Sequence, residues 1–306
     1  MDKARKETDK ILLQMEKELT KIYDEAYGDL AKKWDSYMKE FEPKLKQAYD
    51  DLQKAIASGD KGEIQHMKNR YVGLAKEVTV SNQRFQEVAE DMAQRISHVN
   101  ETALAYVNGK LPEIYALNYN AFGNEKIAGY SFSLVNENAV KELATTDKLL
   151  LPFKQLDKAK DVAWNVKAIN SQIMQGILIG ESIPDLAQRL LNVTNMDEAS
   201  AIRNARTMTT SAENKGRQDS YEKAQSDGVV MVREWIATGD DRTRDWHRDL
   251  DGVEVGVDEP WTNTLPDGTE DSLMYPGDPD GDPANVYNCR CAMRVHVKGF
   301  DWSKND

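Results

Sequence analysis

The chain has 306 residues, of which 40% are hydrophobic and 30% charged, and its formal net charge is -12. This length allows two or three domains of ordinary size. The composition is typical of a helix-rich globular protein with a modest core, and it excludes collagen-like, mucin-like and small disulfide-stapled proteins. The negative charge argues against a general nucleic-acid coat, because phosphate binding needs an excess of Lys and Arg.

The acidic residues are concentrated at the C-terminal end. From Asp240 to Asp306 there are 16 Asp and Glu against 7 Lys and Arg, a net of -9, so the preceding residues carry only -3. No run approaches the roughly 20 apolar residues that span a bilayer, and the N-terminus MDKARKETDK has no apolar signal core. We therefore expect residence in a reducing, cytoplasm-like compartment, without membrane contact.

Residues 1–108 predict an extended helical hairpin or bundle arm. Apolar residues recur at steps of three or four over 12–41, which places them on one face of a helix. Pro43 should end or kink this helix. A second helix should reach the turn at 58–62, and a third should continue to about Asn108. Helices of this length either pack against one another in an antiparallel bundle or dock on a partner assembly. The apolar periodicity is compatible with both.

Residues 109–228 predict a second helical region. Glycines and a proline within 109–129 indicate a break in the chain. Ser182 is placed to cap a helix whose first turn contains a proline. Asn195 or Asp197 could cap a further helix that runs to the end of this region.

Residues 229–306 predict a small, acidic, loop-rich domain with a short β-sheet. The segment VVMVREWIAT (229–238) is β-branched and apolar, and CAMRVHV (291–297) nearly alternates, so both are strand candidates. The long segment between them is rich in Gly, Pro and Asp, as in loops that serve a function. The fold class predicted for the whole chain is α+β.

The two cysteines lie in a C-x-C motif in this last domain. On a strand, Cys289 and Cys291 would point to the same face and would form half of a tetrahedral zinc site. His247 is the obvious third ligand, and His296 or Asp278 could be the fourth. Alternatively, the thiols are a small buried pair with His247 hydrogen-bonded in its loop, or they serve redox chemistry.

The surroundings of His247 leave two interpretations open. The arginines nearby in the sequence are Arg242, Arg244 and Arg248. In one interpretation His247 is a catalytic acid or base and an arginine, Arg244 foremost, binds phosphate. In the other, the residues form a salt-bridged loop in a region with little core.

Three blocks of sequence together resemble the bacteriophage Mu F-like family of head morphogenesis proteins, which are minor capsid proteins of tailed phages. The blocks are QGILIGESIPDLAQRL, RNARTMTTSAENKGRQDSYEKA, and the acidic domain with WIATGDDRTRDWHRDLDG, YPGD and NCRC. They occur in the expected order and cover roughly residues 160–297.

The motif residues of that family can be transferred position by position. They fall on Arg206, Arg244, His247, Gly252, Pro276, Gly277, Asp278, Asn288, Cys289 and Cys291. Many relatives have Glu after the Ala-Arg-Thr of the helix, where this chain has Met208. A role for that carboxylate is therefore not transferred.

The resemblance implies a protein packaged in few copies in the procapsid, in contact with portal protein, scaffold and major capsid protein, that assists head assembly or DNA delivery. It implies residence in the virion, and in the host cytoplasm during assembly. No strong nucleic-acid binding is expected from so acidic a chain. Zinc is the cofactor that the residues suggest. The alternative function is a metal-dependent hydrolase or transferase centred on His247.

Overall fold

The fold was analysed in a computed structural model, which describes residues 2–124 and 154–301. The chain divides into two compact units, each assembled from separate segments. One comprises Met1–Lys17, Ala105–Lys154 and Ile202–Asp306, and the other comprises Glu18–Leu104 and Gln155–Ala201. The division into the consecutive segments 1–108, 109–228 and 229–306 remains a prediction about which parts fold independently.

Helices account for most of the described residues before Val229, and all but one of them are long. They are α1 (Lys3–Met38), α2 (Glu42–Ser58), α3 (Lys61–Val78), α4 (Gln83–Tyr119), α5 (Ala121–Asn124), α6 (Lys158–Ile179) and α7 (Ile183–Ser226). None of the helices within 2–124 and 154–301 combines the length and apolar character needed to cross a membrane.

The helix boundaries near Pro43 and Ser58 are confirmed, but the third predicted helix is interrupted. Pro43 lies in the first turn of α2. The turn after α2 has a left-handed Gly59, and Asp60 caps α3 by accepting from two backbone N–H groups. The expected single helix to Asn108 ends instead at Val78. Thr79 leaves helical geometry with φ -122° and ψ -107°, in a β-branched run that disfavours helix.

The break predicted over 109–129 is wrong for its first part. Helix α4 continues through Gly109 and contains Pro112 in its interior. A buried face formed by Val107, Leu111 and Ile114 continues across this point. The packing of this buried face offsets the free energy that is lost because a proline removes one backbone hydrogen bond from a helix. Residues 125–129 lie outside the described part of the chain.

Helix α7 begins where predicted but is not divided. Ser182 Oγ accepts from the Asp185 backbone N–H at 3.4 Å, and the Asp185 carboxylate accepts from the Ser182 N–H at 3.1 Å, which is a reciprocal cap. The second cap predicted at Asn195 or Asp197 is wrong, because the helix runs unbroken for 44 residues. Residues 190–201 contain neither Gly nor Pro, and Val193 is buried in the core.

The unit made of Glu18–Leu104 and Gln155–Ala201 has an aromatic and aliphatic core. Trp34 and Phe85 meet edge to face with ring centroids 6.4 Å apart. Helix α6 contributes Ile169, Ile173 and Ile177 to the same core. This spacing of four is the apolar stripe expected of an amphipathic helix.

The C-terminal region contains two small antiparallel sheets, so the α+β class is confirmed. Strands β1 (Val229–Ile236), β2 (Glu254–Gly256) and β5 (Ala292–Phe300) form a sheet in the order β2-β1-β5, and β3 (Trp261–Thr264) pairs with β4 (Glu270–Leu273). Short helices α8 (Asp245–Arg248) and α9 (Pro283–Val286) complete the region.

Both predicted strands therefore exist and pair with each other. In their register Trp235 lies opposite Met293. The segment between them, predicted as loops, carries three short strands. Trp235 packs edge to face on Trp261 of β3, with centroids 5.4 Å apart, so the second sheet is joined to the first through a buried aromatic pair.

Candidate functional site

The predicted His and Cys ligands are brought together in the C-terminal region. His247 lies on α8, and its Nδ1 is 3.4 Å from Cys291 Sγ and 3.9 Å from Cys289 Sγ. The potential ligand atoms of these three residues all lie within 4.8 Å of one another. All three side chains are buried and both cysteines are free thiols. The group could hold a metal ion.

The orientation of His247 is determined by Asn285 of α9. The Trp246 indole N–H can only donate, so the Asn285 atom that it meets at 2.9 Å is the amide oxygen. His247 Nε2 lies 3.1 Å from the same oxygen and must donate to it. His247 Nδ1 therefore presents its lone pair to the two sulfurs. A hydrogen bond to the distal ring nitrogen is the arrangement that orients a metal-binding histidine.

The two thiols differ in acidity because they are hydrogen-bonded to each other. The pKa of Cys289 is lowered, first by the hydrogen bond from the Cys291 thiol. The pKa of Cys291 is raised by that same bond and by burial. This bond favours the thiolate of Cys289 and the thiol of Cys291, while His247 acts on Cys291 in the opposite direction. A thiolate is the form in which cysteine binds a metal.

The fourth ligand is not supplied by either residue considered from the sequence. His296 pairs with Glu234 at 2.5 Å on the sheet. Asp278 accepts from the Met274 and Asp280 backbone N–H groups within its own turn. Among the residues that the structure describes, the group of possible ligands contains only His247 and the two cysteines.

The cysteines do not lie on a strand as the zinc argument assumed, because β5 begins at Ala292. They occupy the preceding turn, in which Asn288 adopts a left-handed φ of 57° and the Cys289 N–H bonds to the Val286 carbonyl. Asparagine tolerates this conformation better than most residues. The turn, rather than strand alternation, directs both sulfurs to His247.

One face of α7 holds the backbone of this turn. The Asn288 N–H donates to Thr207 Oγ1 at 2.8 Å, and Thr210 Oγ1 donates to the Cys289 carbonyl at 2.7 Å. Both hydroxyls are buried or nearly so. The threonines are three residues apart and thus on the same side of the helix.

Asn214, one turn further along α7, connects two more motif segments. Its amide nitrogen donates to the Pro276 carbonyl at 3.1 Å and to the Cys291 carbonyl at 3.2 Å. Its amide oxygen accepts from the Met293 N–H at 3.2 Å. One buried side chain therefore fixes both the Pro-Gly-Asp turn and the start of β5.

The two motif glycines serve tight turns. Gly277 has φ +79°, and a Cβ placed there would lie 3.1 Å from the Ser211 backbone nitrogen of α7. Gly252 also has φ +79°, and its N–H bonds to the Trp235 carbonyl at 2.9 Å. Positive φ is adopted readily only by glycine, and at Gly277 the contact with α7 adds a second reason.

Neither the motif arginines nor Arg248 form a side-chain hydrogen bond with His247 in the described part of the chain. Arg206 pairs with Glu16 of α1 at 2.6 Å. Arg244 immediately precedes α8, and its guanidinium donates to the Tyr287 carbonyl. Arg248 pairs with Asp245 at 2.7 Å. Arg248 therefore forms a local ion pair, as expected if the residues around His247 form a salt-bridged loop. Arg206 pairs instead with helix α1, far away in the sequence.

A buried arginine that sequence reasoning missed organises the region. Arg233 of β1 is fully buried and donates to the carbonyls of Gly256, Glu259 and Met274 and to the Gln218 side chain. Its guanidinium also stacks over the Trp261 ring at 4.6 Å. Burial lowers the pKa of Arg233 to about 10. The charge is thus held by neutral oxygens and a π-face.

Sequence analysis did not single out the buried polar residues of α7, although their spacing forms a recognisable helical pattern. Thr207, Thr210, Asn214 and Gln218 recur at steps of three and four, the spacing of a buried helical face. A polar residue at each of these positions indicates that the face meets backbone groups. Asn285, in contrast, lies in a stretch of sequence rich in Asn and Asp, where nothing distinguishes it.

Comparison with known proteins gives the same identification as the motifs. Residues 167–294 match the family described as Phage Mu protein F like protein. The chain is 27% identical to Minor head protein GP7 of Bacillus phage SPP1, over 94% of this chain and 87% of that protein. It is 29% identical to the uncharacterized protein YqbB of Bacillus subtilis, over 47% of this chain and 50% of YqbB.

A further relative is an enzyme. The chain is 33% identical to NAD(+)--arginine ADP-ribosyltransferase EFV of Enterococcus faecalis, over 61% of this chain but only 37% of the enzyme's length. No solved structure matches the chain. The resemblance inferred from the motifs is confirmed by the family match over residues 167–294.

Proposed function

We propose that this protein is a minor head protein that acts in the morphogenesis of a tailed-phage head. The observation that carries the proposal is the alignment with the SPP1 minor head protein, which extends over 94% of this chain and 87% of that protein. Because it extends far beyond residues 167–294, the similarity includes the long N-terminal helices. The relationship therefore concerns nearly whole proteins and not only a shared domain.

In this proposal the protein enters the procapsid through contacts with the portal protein, with scaffold and major capsid protein as further neighbours, and it stays in the virion. The long helices α1 and α4, of 36 and 37 residues, supply extended surface for such contacts. Assembly takes place in the host cytoplasm. A role in DNA delivery follows if the protein leaves the head with the genome.

The test is incorporation into procapsids assembled from major capsid protein and scaffold, with and without the portal protein. We expect the protein to sediment with the shells that contain portal and to be absent from shells that lack it. Equal incorporation into both would contradict portal contact. Absence from both would contradict the proposed function itself. Protein analysis of finished virions separates a resident protein from an assembly factor that departs.

The acidity of the chain supports weak affinity for duplex DNA. With a net charge of -12, the protein has no excess of cations to displace counterions from the phosphates. We expect no measurable duplex binding at physiological salt in a filter-binding assay. Tight, salt-sensitive binding would contradict this part of the proposal.

We further propose that His247, Cys289 and Cys291 hold one zinc ion with a structural role. The support is the donor set, one imidazole lone pair and two sulfurs within 4.8 Å of one another, together with the hydrogen bond of His247 Nε2 to Asn285. Zinc bonds to nitrogen and sulfur are about 2.0–2.3 Å long, so modest contraction of the group would suffice. Bound zinc would stabilise the folded form of this region.

Elemental analysis of the purified protein, with unfolding followed before and after chelation, tests this role. We expect near-stoichiometric zinc, and loss of both zinc and thermal stability in Cys289→Ser and Cys291→Ser. His296→Ala is the matched control, because this histidine lies on β5, directly after the Cys turn, but outside the group. Metal-free protein with no effect of chelator would contradict the proposal.

A metal-dependent hydrolase or transferase centred on His247 is the alternative. Its support is that three protein ligands leave a coordination position open for water or substrate. Burial of all three side chains disfavours it, because a substrate must reach the metal. The chain spans about a third of the enterococcal enzyme's length, so that activity is not transferred. Activity abolished by His247→Ala in a folded protein would favour the alternative.

A further inference from the structure

A groove rich in arginine lies on the unit that contains the C-terminal region. It has a volume of about 490 Å³ and is lined by α1, α7 and the loops around α8 and the Cys turn. Five arginines contribute to its lining: Arg5, Arg206, Arg242, Arg244 and Arg290. Three carboxylates, Asp9, Glu16 and Glu213, also line it, so arginines exceed carboxylates by two in a chain whose net charge is -12.

Two of these arginines have positive charge that the fold does not neutralise. Arg206 is paired with Glu16 at 2.6 Å, and Arg290 holds Asp240 through two bonds of 2.6 and 2.7 Å. Arg242 has only a 3.8 Å contact with that same, already occupied carboxylate.

Arg244 contacts no carboxylate among residues 2–124 and 154–301, and its guanidinium bonds to the neutral carbonyl of Tyr287. The loop side of the groove therefore offers two guanidinium groups, from Arg242 and Arg244, to an anion.

Helix α1 contributes two leucines to the groove. Leu12 and Leu13 line it beside the charged Arg5, Asp9 and Glu16 of the same helix, and Leu13 is 57% exposed. An exposed leucine beside unpaired arginines favours a ligand that carries both an apolar side chain and negative charge. Arginine binds carboxylates through a planar fork of donors.

The surroundings oppose a long polyanion. Asp241, Asp245 and Asp249 are exposed next to Arg242 and Arg244, and their charges would repel the successive phosphates of a nucleic acid. A short peptide can place single carboxylates on the arginines and avoid these aspartates. Charge and shape therefore favour a peptide over a nucleic acid.

We propose that this groove binds an acidic peptide segment of a partner protein, with carboxylates on Arg242 and Arg244 and an apolar side chain against Leu12 and Leu13. The site is distinct from the buried His247 group and does not depend on metal binding. It does not depend on the identity of the head partners either, because the recognition rests on the chemistry of the groove.

The test uses the full chain and a short fluorescent peptide of alternating aspartate and leucine, followed by fluorescence anisotropy. We expect saturable binding that weakens with salt, and about tenfold weaker binding for Arg242→Gln and for Arg244→Gln, the effect of losing one charge-assisted hydrogen bond. Arg242 is 70% exposed at its side chain, so its replacement should leave the fold intact. Thermal unfolding verifies this.

Arg248→Gln is the matched control, since this exposed arginine lies at the end of α8, bonds to Asp245, and is not part of the groove lining. It should bind the peptide as the unaltered protein does. Leu13→Ala should weaken peptide binding as well, which separates an apolar contact from charge attraction alone.

Three outcomes would overturn the proposal. The first is equal binding of a peptide with lysine in place of aspartate. The second is an equal effect of Arg248→Gln and Arg242→Gln. The third is tighter binding of a single-stranded oligothymidylate that Arg242→Gln and Arg244→Gln abolish, since the groove would then be a nucleic-acid site.

Discussion

Replacement of Asn214 by alanine should destabilise the C-terminal region strongly. The side chain is fully buried and satisfies the carbonyls of Pro276 and Cys291 and the N–H of Met293. Each buried group left without a partner costs about 1–3 kcal/mol, so the three together should cost about 3–9 kcal/mol. Single domains unfold with only about 5–15 kcal/mol in total, so this is a large fraction of the stability.

Urea unfolding followed by tryptophan fluorescence measures the effect, because Trp235, Trp246 and Trp261 all lie in the affected region. The matched control is Asn69→Ala, an exposed helical asparagine bonded only to Gln65 at 2.8 Å. Surface changes of this kind are usually within about 0.5 kcal/mol of neutral. The control should therefore leave the midpoint unchanged.

A second variant, Asn214→Asp, separates the hydrogen bonds from the volume of the side chain. Aspartate keeps the acceptor for the Met293 N–H but, when ionised, has no donor for the two carbonyls. It should be at least as destabilising as alanine at neutral pH and should recover in part on acidification. If Asn214→Ala unfolds within about 0.5 kcal/mol of the unaltered protein, the polar face of α7 does not hold the motif segments, and the reasoning fails.

Three further predictions concern other buried positions. Burial and the nearby charge of Asp161 raise the pKa of Asp197 to about 7. The folded state then keeps a proton that the unfolded chain releases near pH 4, so stability should fall as pH rises from about 4 to 7, by on the order of 4 kcal/mol. Asp197→Asn should remove this slope from unfolding curves. Arg233→Lys should lose more than about 2 kcal/mol in chemical unfolding, because an ammonium cannot replace a planar fork with five donors. Gly277→Ala should lower the melting temperature more than Gly239→Ala, since both have positive φ but only Gly277 meets the α7 backbone; equal effects would show that the contact is unimportant.

The helices were predictable where periodicity and caps agree. The stripe of Met15, Leu19, Leu30 and Trp34 is buried as its spacing indicates, and Ser182 caps α7. Prediction failed where a local preference competed with packing. Pro112 predicts a break, but the apolar face of α4 continues past it. Propensity is a weak influence that tertiary burial overrides.

The residue types predicted the candidate ligands of the site. They did not predict the residues that hold those ligands and the surrounding backbone in place. Cys289 and Cys291 stand out as the two cysteines of the chain, and His247 as one of two histidines in the C-terminal region. Asn285 and Arg233 do not stand out, since their roles depend on backbone groups that meet them only in three dimensions. Their hydrogen bonds extend over 38 and 41 residues in sequence, beyond the reach of any local pattern.

The arrangement of the motif residues also indicates what the motif does. Asn214 and Thr210 bond to backbone groups of the Pro-Gly-Asp turn and the Cys turn, and Gly277 allows the first of these turns to approach α7. These contacts are buried, so they do not face a substrate in solution. They are independent of the residues on the outer surface of the loops, and those residues can change without loss of the fold.

This arrangement suits a protein that acts by presenting a surface of fixed geometry to its partners. The backbone of the loops around α8 is fixed from inside by α7, while arginines such as Arg242 and Arg244 line the groove at the surface. The buried motif would then preserve the geometry on which recognition depends, and the exposed charges would select the partner. The two functions can be separated by experiment: Asn214→Ala should reduce stability and binding together, whereas Arg242→Gln should reduce binding alone.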